Sequence, residues 1–134
     1  MRIVIDTNVL ISGCFFGGAP ARVLKAVCNR KINAFVTNEI LEEYMETISE
    51  LIERKQGHLN PAVLYSFMHY LTIVDARTQV KASRDPDDDK FIGCALDAKA
   101  LYIISGDNDL LALCKYEDVE IITAREFCQK YLDT

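Results

Sequence analysis

The chain is organised around one stretch, Arg84-Asp85-Pro86-Asp87-Asp88-Asp89-Lys90-Phe91-Ile92-Gly93-Cys94-Ala95-Leu96, in which a cluster of acids leads into an apolar run. The residue before a proline is pushed out of the α region, so Asp85-Pro86 ends whatever precedes it. Carboxylates are favoured at a helix start by the free amides and the helix dipole, so the aspartates predict a helix over 90–99. Capping needs one or two of these acids, and the surplus is either a solvated charge patch or part of a cation site.

Length and composition predict one globular domain, residues 1–134. Of the 134 residues, 50% are apolar and 26% are charged, and a chain of this length buries about two thirds of the surface that it exposes when unfolded. No apolar run approaches the ~20 residues that span a bilayer, and Asp6 falls where a secretory signal would be apolar. The five cysteines lack the paired spacing of a zinc site or a redox dithiol. Free thiols and a cytoplasmic location, without membrane contact, are therefore expected.

Strand-like and helix-like segments alternate along the chain. Short apolar runs predict strands at 2–5, 34–36, 72–74, 101–104 and 120–122. Amphipathic or capped segments predict helices at 21–29, 39–54, 62–71, 90–99, 110–114 and 124–131, and residues 78–83 are predicted to be a loop. This alternation predicts an α/β fold, a three-layer α/β/α sandwich whose central parallel sheet has four to five strands.

Acids from distant parts of the chain are predicted to meet at one edge of this sheet. Asp6 follows the first strand and Asp107 follows the fourth, and function gathers at the carboxyl ends of parallel strands. Taken singly, Asp6 is equally well explained as a turn residue and Asp107 as an ordinary N-cap. The acidic cluster opens the helix that precedes the fourth strand, so it lies on the same edge, as does the start of the helix over 39–54.

Converging carboxylates require a counter-ion. At ~4 Å and an effective dielectric of about 20, each pair repels by about 4 kcal/mol. Oxygen ligands without histidine or cysteine favour Mg²⁺ or Mn²⁺. Such a site suits hydrolysis of phosphodiesters by metal-activated water, and the sequence has neither a serine nucleophile with a histidine partner nor a glycine-rich phosphate loop. The net charge of −5 argues against nonspecific attraction to nucleic acid, unless bound cations offset part of it.

An ordered set of four motifs resembles the PIN-domain nucleases. The motifs are Ile3-Val4-Ile5-Asp6-Thr7-Asn8-Val9-Leu10, an acidic helix with Glu42 and Glu43, Asp88 opening a helix, and Ile104-Ser105-Gly106-Asp107-Asn108-Asp109-Leu110. The likeness is strongest to small single-domain PIN proteins related to VapC-type toxins. It implies a PIN-like fold and a Mg²⁺-dependent endoribonuclease, the toxin of a toxin-antitoxin pair, with an RNA substrate, a small antitoxin partner and a homodimeric state.

Position by position, the resemblance implies that Asp6, Glu43, Asp88 and Asp107 are catalytic metal ligands, with Asp109 as a fifth acid. Asn8 and Ser105 are implied to orient these ligands. Helical periodicity does not choose between Glu42 and Glu43, and the family's spacing from Thr37 favours Glu43. Asp88 is preferred over Asp87 and Asp89 because the apolar residues that follow it then fall at the family's offsets.

Two further classes of function are compatible with the sequence. The first is a PIN scaffold that is weak or inactive as a catalyst and binds RNA or a protein. The second is another metal-assisted phosphohydrolase or a receiver-like switch, although a receiver needs paired acids after its first strand, where Asp6 stands alone. No basic strip is evident in the sequence. The candidates for phosphate contact are Arg2, Arg22, Lys25, Arg30, Arg54, Lys55 and Arg84. The alternative for most of them is an ordinary position on the solvated surface.

Overall fold

A six-stranded sheet runs through the protein, which a computed structural model describes at residues 1–54 and 57–133. The strands lie in the order β3-β2-β1-β4-β6-β5, and every pair is parallel except β5 and β6. Their bounds are β1 (Arg2–Ile5), β2 (Asn33–Val36), β3 (Thr72–Ile73), β4 (Tyr102–Ile104), β5 (Lys115–Tyr116) and β6 (Val119–Ile122). Strand order reverses at β1, since β2 lies on one side of it and β4 on the other.

The helices connect these strands and give the three-layer α/β/α fold that the sequence predicts. They are α1 (Thr7–Phe15), α2 (Gly18–Cys28), α3 (Asn38–Glu53), α4 (Pro61–His69), α5 (Asp89–Ala98), α6 (Asn108–Leu111) and α7 (Ala124–Phe127). A 3₁₀ turn, Pro86–Asp88, leads into α5, and a π-helical turn, Cys128–Leu132, follows α7. Helix α5 packs against β1, β2, β4 and β6, so it lies over the central strands of the sheet.

The core holds β1 and α3 in a fixed relation at the carboxyl edge. Residues 3–5 of β1 are buried, as expected of a central parallel strand. The buried stripe of α3 is Ile40, Tyr44 and Ile48, and the Tyr44 hydroxyl donates a hydrogen bond to the Ile5 carbonyl. This contact sets the residue beside Tyr44, which is Glu43, next to the end of β1.

The loop between β3 and α5 is fastened along one side of α5. We call residues 76–84 the strap. The Asp97 carboxylate accepts hydrogen bonds from Arg77 N at 2.8 Å and from Thr78 Oγ1 at 2.6 Å, and Asp89 Oδ1 accepts from Ser83 N at 2.8 Å. Between these acids a Cβ on Gly93 would lie 2.8 Å from the Thr78 carbonyl oxygen, so the strap crosses the helix where there is no side chain.

The sequence predicted five of the six strands, each with bounds within one residue of those observed, and it missed two elements. The sixth strand, β5, is a two-residue antiparallel strand at the edge, beyond the predicted four to five. Helix α1 also was not predicted, because Val9, Leu10 and Ile11 are consecutive apolar residues that give no helical stripe. The predicted helix over 124–131 ends its α-helical part at Phe127 and continues as the π-helical turn.

The five cysteines are unpaired thiols, as the sequence predicted. Among the described helices, none is by itself both long and apolar enough to cross a membrane. Helices α1 and α2 taken together have the length and the apolar composition of a membrane-spanning segment, and the two helices are bent by 98° at their junction.

Candidate active site

An acidic cleft lies at the carboxyl edge of the sheet, beside β1 and β4. It has a volume of about 460 Å³, and its walls come from the start of α1, from α3, from the turn before α5 and from the loop after β4. The lining residues are Asp6, Thr7, Asn8, Ile11, Ser12, Glu43, Thr47, Asp88 and Asp107. The four acids that the sequence assigned as catalytic therefore line one cleft.

Asp6 is held at the end of β1 by its neighbour on β4. Its backbone N–H donates to the Ile104 carbonyl at 2.9 Å, which continues the β1–β4 ladder by one residue. The Ser105 hydroxyl donates to Asp6 Oδ2 at 2.5 Å. Asp6 occupies the N-cap position of α1 but makes no side-chain capping bond, so its carboxylate is available to the cleft.

Asp107 and Asp109 come from the loop after β4 and the first turn of α6. Asp107 Oδ2 caps α6 by accepting from Leu110 N at 3.1 Å, and Asp107 N donates to Ser105 Oγ at 2.9 Å. Asp107 is therefore the N-cap of α6, and this capping bond uses one of its two carboxylate oxygens. Carboxylate oxygens of Asp88, Asp107 and Asp109 lie within 4.8 Å of one another, and we call these three residues the acid trio.

Asp88 has an oxygen without a partner. It precedes α5 at the end of the 3₁₀ turn, and the capping bond of that turn is made by Asp85, whose Oδ1 accepts from Asp87 N at 3.0 Å. Asp88 Oδ2 is buried and has no hydrogen-bond partner among the described residues. Burial, then the adjacent carboxyl group of Asp107 and its charge, raise the pKa of Asp88 to about 7. A proton shared with Asp107, or a bound cation, would supply the missing partner.

The neighbours of Asp88 face elsewhere. Asp87 is exposed and its Oδ1 lies 3.3 Å from Lys90 Nζ, while Asp89 holds the strap. In α3, Glu42 is exposed and Glu43 lines the cleft. By position in the fold, Asp88 and Glu43 are the members of their sets that reach the acidic cleft.

Glu43 is engaged by two residues that sequence reasoning did not assign to the site. Its Oε2 accepts a hydrogen bond from the Thr7 hydroxyl, and its Oε1 lies 2.7 Å from Lys90 Nζ. The Lys90 side chain is only 11% exposed. The available signals were the position of Thr7 between Asp6 and Asn8 and that of Lys90 directly after the acids, but neither indicates a contact with α3.

Asn8 and Ser105 have different surroundings. Ser105 is fully buried and links two cleft acids, as a ligand-orienting residue would. Asn8 is exposed, and its Oδ1 accepts from Gly106 N at 3.4 Å. Within residues 1–54 and 57–133 it makes no hydrogen bond to a carboxylate, so its contact fastens the loop after β4.

Burial and mutual repulsion shape the electrostatics of the cleft. Burial raises the pKa of Asp6, the charges of Asp107 and Glu43 raise it further, and the Ser105 hydrogen bond opposes them. An all-oxygen set with an unsatisfied buried oxygen suits a hard divalent cation such as Mg²⁺ or Mn²⁺. The residues present therefore fit a metal ion at the acid trio.

The basic residues that were considered for phosphate contact are mostly placed elsewhere. Arg84 Nε lies 3.4 Å from Asp109 Oδ1, at the acid trio. Arg2 donates to the Ala98 carbonyl at 2.9 Å and Arg22 pairs with Asp133. Arg30 stacks on the Tyr70 ring, Lys25 lines a cavity beside α1, α2 and α4, and Arg54 is exposed at the end of α3. Lys55 lies outside the described residues.

Comparisons with known proteins agree with this fold. The chain is 32% identical over 143 residues to the uncharacterized protein MJ1680 of Methanocaldococcus jannaschii, with 98% of this chain and 92% of that protein covered. The crystal structure of VapBC2 from Rickettsia felis, bound to a DNA fragment from their promoter, matches with a TM-score of 0.60. That match covers 90% of this chain and 97% of the other chain at 12% identity, so it concerns the fold alone.

The match to a family model assigns the chain to a protein family, which the two comparisons above do not. The model of the PIN domain matches residues 2–109, which include β1, α3, α5 and β4 with all five acids. The chain belongs to the PIN domain family.

Proposed function

We propose that the protein is a Mg²⁺- or Mn²⁺-dependent endoribonuclease that acts in the cytoplasm. The observation that carries the proposal is the buried Asp88 Oδ2, which has no hydrogen-bond partner in the described part of the chain and lies beside two further carboxylates. An arrangement of this kind is costly for a protein that does not use it, because like charges repel and an unsatisfied buried oxygen loses its hydration. PIN-family membership agrees with metal-assisted nuclease chemistry.

In this proposal the acid trio holds the ion, and Asp6 and Glu43 complete the acidic wall of the cleft. A divalent ion at such a site supplies an activated water and neutralises charge at the leaving oxygen of a phosphodiester. Ser105 fixes Asp6 and Asp107 relative to each other. Arg84, exposed at the edge of the acid trio, is the described basic residue best placed to meet a substrate phosphate.

We further propose that the protein is the toxin of a toxin-antitoxin pair, with a small antitoxin partner, and that it forms a homodimer. The support is the fold that it shares with a VapBC2 complex and the exposure of two large apolar side chains, Phe16 at 77% and Tyr65 at 74%. Exposed aromatic side chains are enriched at protein interfaces. The RNA substrate is proposed on the family resemblance of the four acidic motifs.

A cleavage assay tests the central proposal. We expect purified protein to cut single-stranded or loop RNA with Mg²⁺ or Mn²⁺ and to stop when the metal is chelated. Asp88→Asn and Asp107→Asn should abolish cutting while the circular dichroism spectrum is unchanged, and Asp118→Asn, at an exposed aspartate outside the cleft, is the matched control. Cutting that survives in both cleft variants would point to a contaminating nuclease and contradict the proposal.

The alternative is a scaffold that binds RNA or a protein without cutting. The observation in its favour is charge, because the net charge is −5 and three of the seven basic residues discussed above, Arg2, Arg22 and Arg30, are engaged away from the cleft. RNA bound in a gel-shift assay, with no cleavage and no Mn²⁺ uptake, would favour this function over the nuclease.

A further inference from the structure

The Lys90 side chain is largely enclosed, at 11% exposure, and lies beside Glu43 at the edge of the acidic cleft. Its Nζ lies 2.7 Å from Glu43 Oε1, 3.3 Å from Asp87 Oδ1 and 2.8 Å from the Asp87 carbonyl oxygen. An ammonium has three donors, so these contacts use its full capacity. The ammonium is therefore committed to this position and does not extend into solvent.

The partner of Lys90 is equally committed. Glu43 gives one oxygen to Lys90 and the other to the Thr7 hydroxyl, so both of its oxygens are already occupied by donors of this chain. Asp88 differs, because its Oδ2 has no partner among the described residues. Among residues 1–54 and 57–133, the three carboxylates that lie close enough to share one ion are those of Asp88, Asp107 and Asp109, and Glu43 is outside that group.

We propose that Lys90 supplies the second positive charge of the cleft by holding Glu43 out of the metal's ligand set, which leaves a single divalent ion at the acid trio. The inference rests on the proposed function and refines it, since the sequence assigned Glu43 as a ligand. Lys90 acts through Glu43, so it is a positioning residue. A fixed ammonium in place of a second ion makes the site a one-metal site.

The decisive experiment removes the pair together. Glu43→Gln combined with Lys90→Met deletes one charge of each sign, so the net charge of the cleft is unchanged. Arg22→Met combined with Asp133→Asn removes an ion pair outside the cleft lining and is the matched control. Mn²⁺ binding is measured by calorimetry and by electron paramagnetic resonance, with the full chain and no RNA present.

We expect one Mn²⁺ per chain in the native protein. The double variant of the pair should bind with less than about threefold change in affinity, whereas loss of even a residue that orients a ligand costs about ten- to a hundredfold, and loss of a ligand should cost at least as much. Lys90→Met alone frees the Glu43 carboxylate, so binding should tighten by about tenfold or a second ion should appear. Lys90→Arg, which keeps the positive charge, should bind one Mn²⁺ with native affinity. If only the apolar stem of the lysine mattered, Lys90→Met would behave in the same way.

Four results would overturn the inference: two ions in the native protein, no Mn²⁺ binding at all, a loss of about threefold or more in the double variant, or native binding in Lys90→Met. RNA cleavage measured on the same samples separates this inference from the proposed function. Cleavage with two bound ions refutes the one-metal site only, and one bound ion without cleavage refutes the nuclease only.

Discussion

The Ser105 hydroxyl joins Asp6 to Asp107, since it donates to Asp6 Oδ2 at 2.5 Å and accepts from Asp107 N at 2.9 Å. Ser105 is fully buried, so water cannot take over either bond if the hydroxyl is removed. The distance between two cleft acids that are far apart in sequence therefore depends on one small side chain at the end of β4.

Ser105→Ala should lower both stability and activity. The substitution leaves a partly buried backbone N–H and a buried carboxylate oxygen short of a partner, which costs about 1–3 kcal/mol of unfolding free energy. Urea unfolding measures this loss, and Ser49→Ala, at an exposed position of α3, is the control. Equal stability of the two variants would show that Asp6 and Asp107 are positioned without Ser105.

Asp6→Asn should stabilise the metal-free protein at neutral pH. Burial, with the charges of Asp107 and Glu43, raises the pKa of Asp6, so its ionised form is less favourable in the folded state than in the unfolded chain. The amide keeps an oxygen for the Ser105 hydroxyl and removes the charge. We expect a gain of about 1 kcal/mol, or ~3–5 °C in Tm, in thermal unfolding with chelator. A clear loss would mean that the fold needs the carboxylate.

Asp88→Asn should stabilise the metal-free protein, and the gain in stability should grow with pH. The unfolded chain loses this proton near pH ~4, whereas burial, and then Asp107, raise the pKa of Asp88 in the folded protein to about 7. Rising pH therefore costs the native protein stability across this window, and the asparagine variant avoids that cost. The difference in Tm between the two proteins should widen from about pH 4 to about pH 7 and then level off. A constant difference would contradict the raised pKa.

Mn²⁺ binding should tighten across the upper part of the same window. The ion competes with the proton on Asp88, so affinity rises with pH until this carboxyl is ionised, near its pKa of about 7. Calorimetry in buffers of different ionisation enthalpy measures the proton released on binding. Release of no proton below this pKa would place the ion away from Asp88.

Gly93→Ala should destabilise the protein, whereas Gly106→Ala should be tolerated. A Cβ on Gly93 meets the Thr78 carbonyl oxygen at 2.8 Å, a backbone atom that moves only if the strap moves, and at Gly106 the nearest atom is 3.9 Å away. Overpacking of this kind costs about 1–3 kcal/mol. Urea unfolding of the two variants gives the comparison, and equal midpoints would show that the strap yields without cost.

Local patterns in the sequence were sufficient for most of the sheet and for the acids at its edge. β1 and β4 are buried β-branched or aromatic runs, and each is followed by an aspartate that the parallel sheet brings to the same edge. Helix α3 has a clear apolar stripe. These features depend on residues near one another in sequence, where periodicity and capping act.

The features that were missed depend on contacts between distant residues. In α1, Gly13 allows α2 to approach so closely that a Cβ there would lie 2.6 Å from Leu24 Cδ1, and no pattern within 7–15 reports this. The two residues of β5 are too few to show an alternation. The ion pair of Lys90 with Glu43 joins α5 to α3, so a lysine that looks like ordinary helix surface in sequence is only 11% exposed in the fold.

Asp88, Asp89 and Lys90 are consecutive, and each meets a different part of the protein: the acid trio, the strap and α3. Successive helical residues project about 100° apart, so one turn distributes three contacts by rotation alone. Inserting a single residue between Lys90 and Phe91 would rotate all three of these side chains by about 100° relative to the rest of α5, toward the wrong neighbours. The register of this turn, more than its number of acids, determines whether the site exists, and a chain with the same composition in another order would lack it.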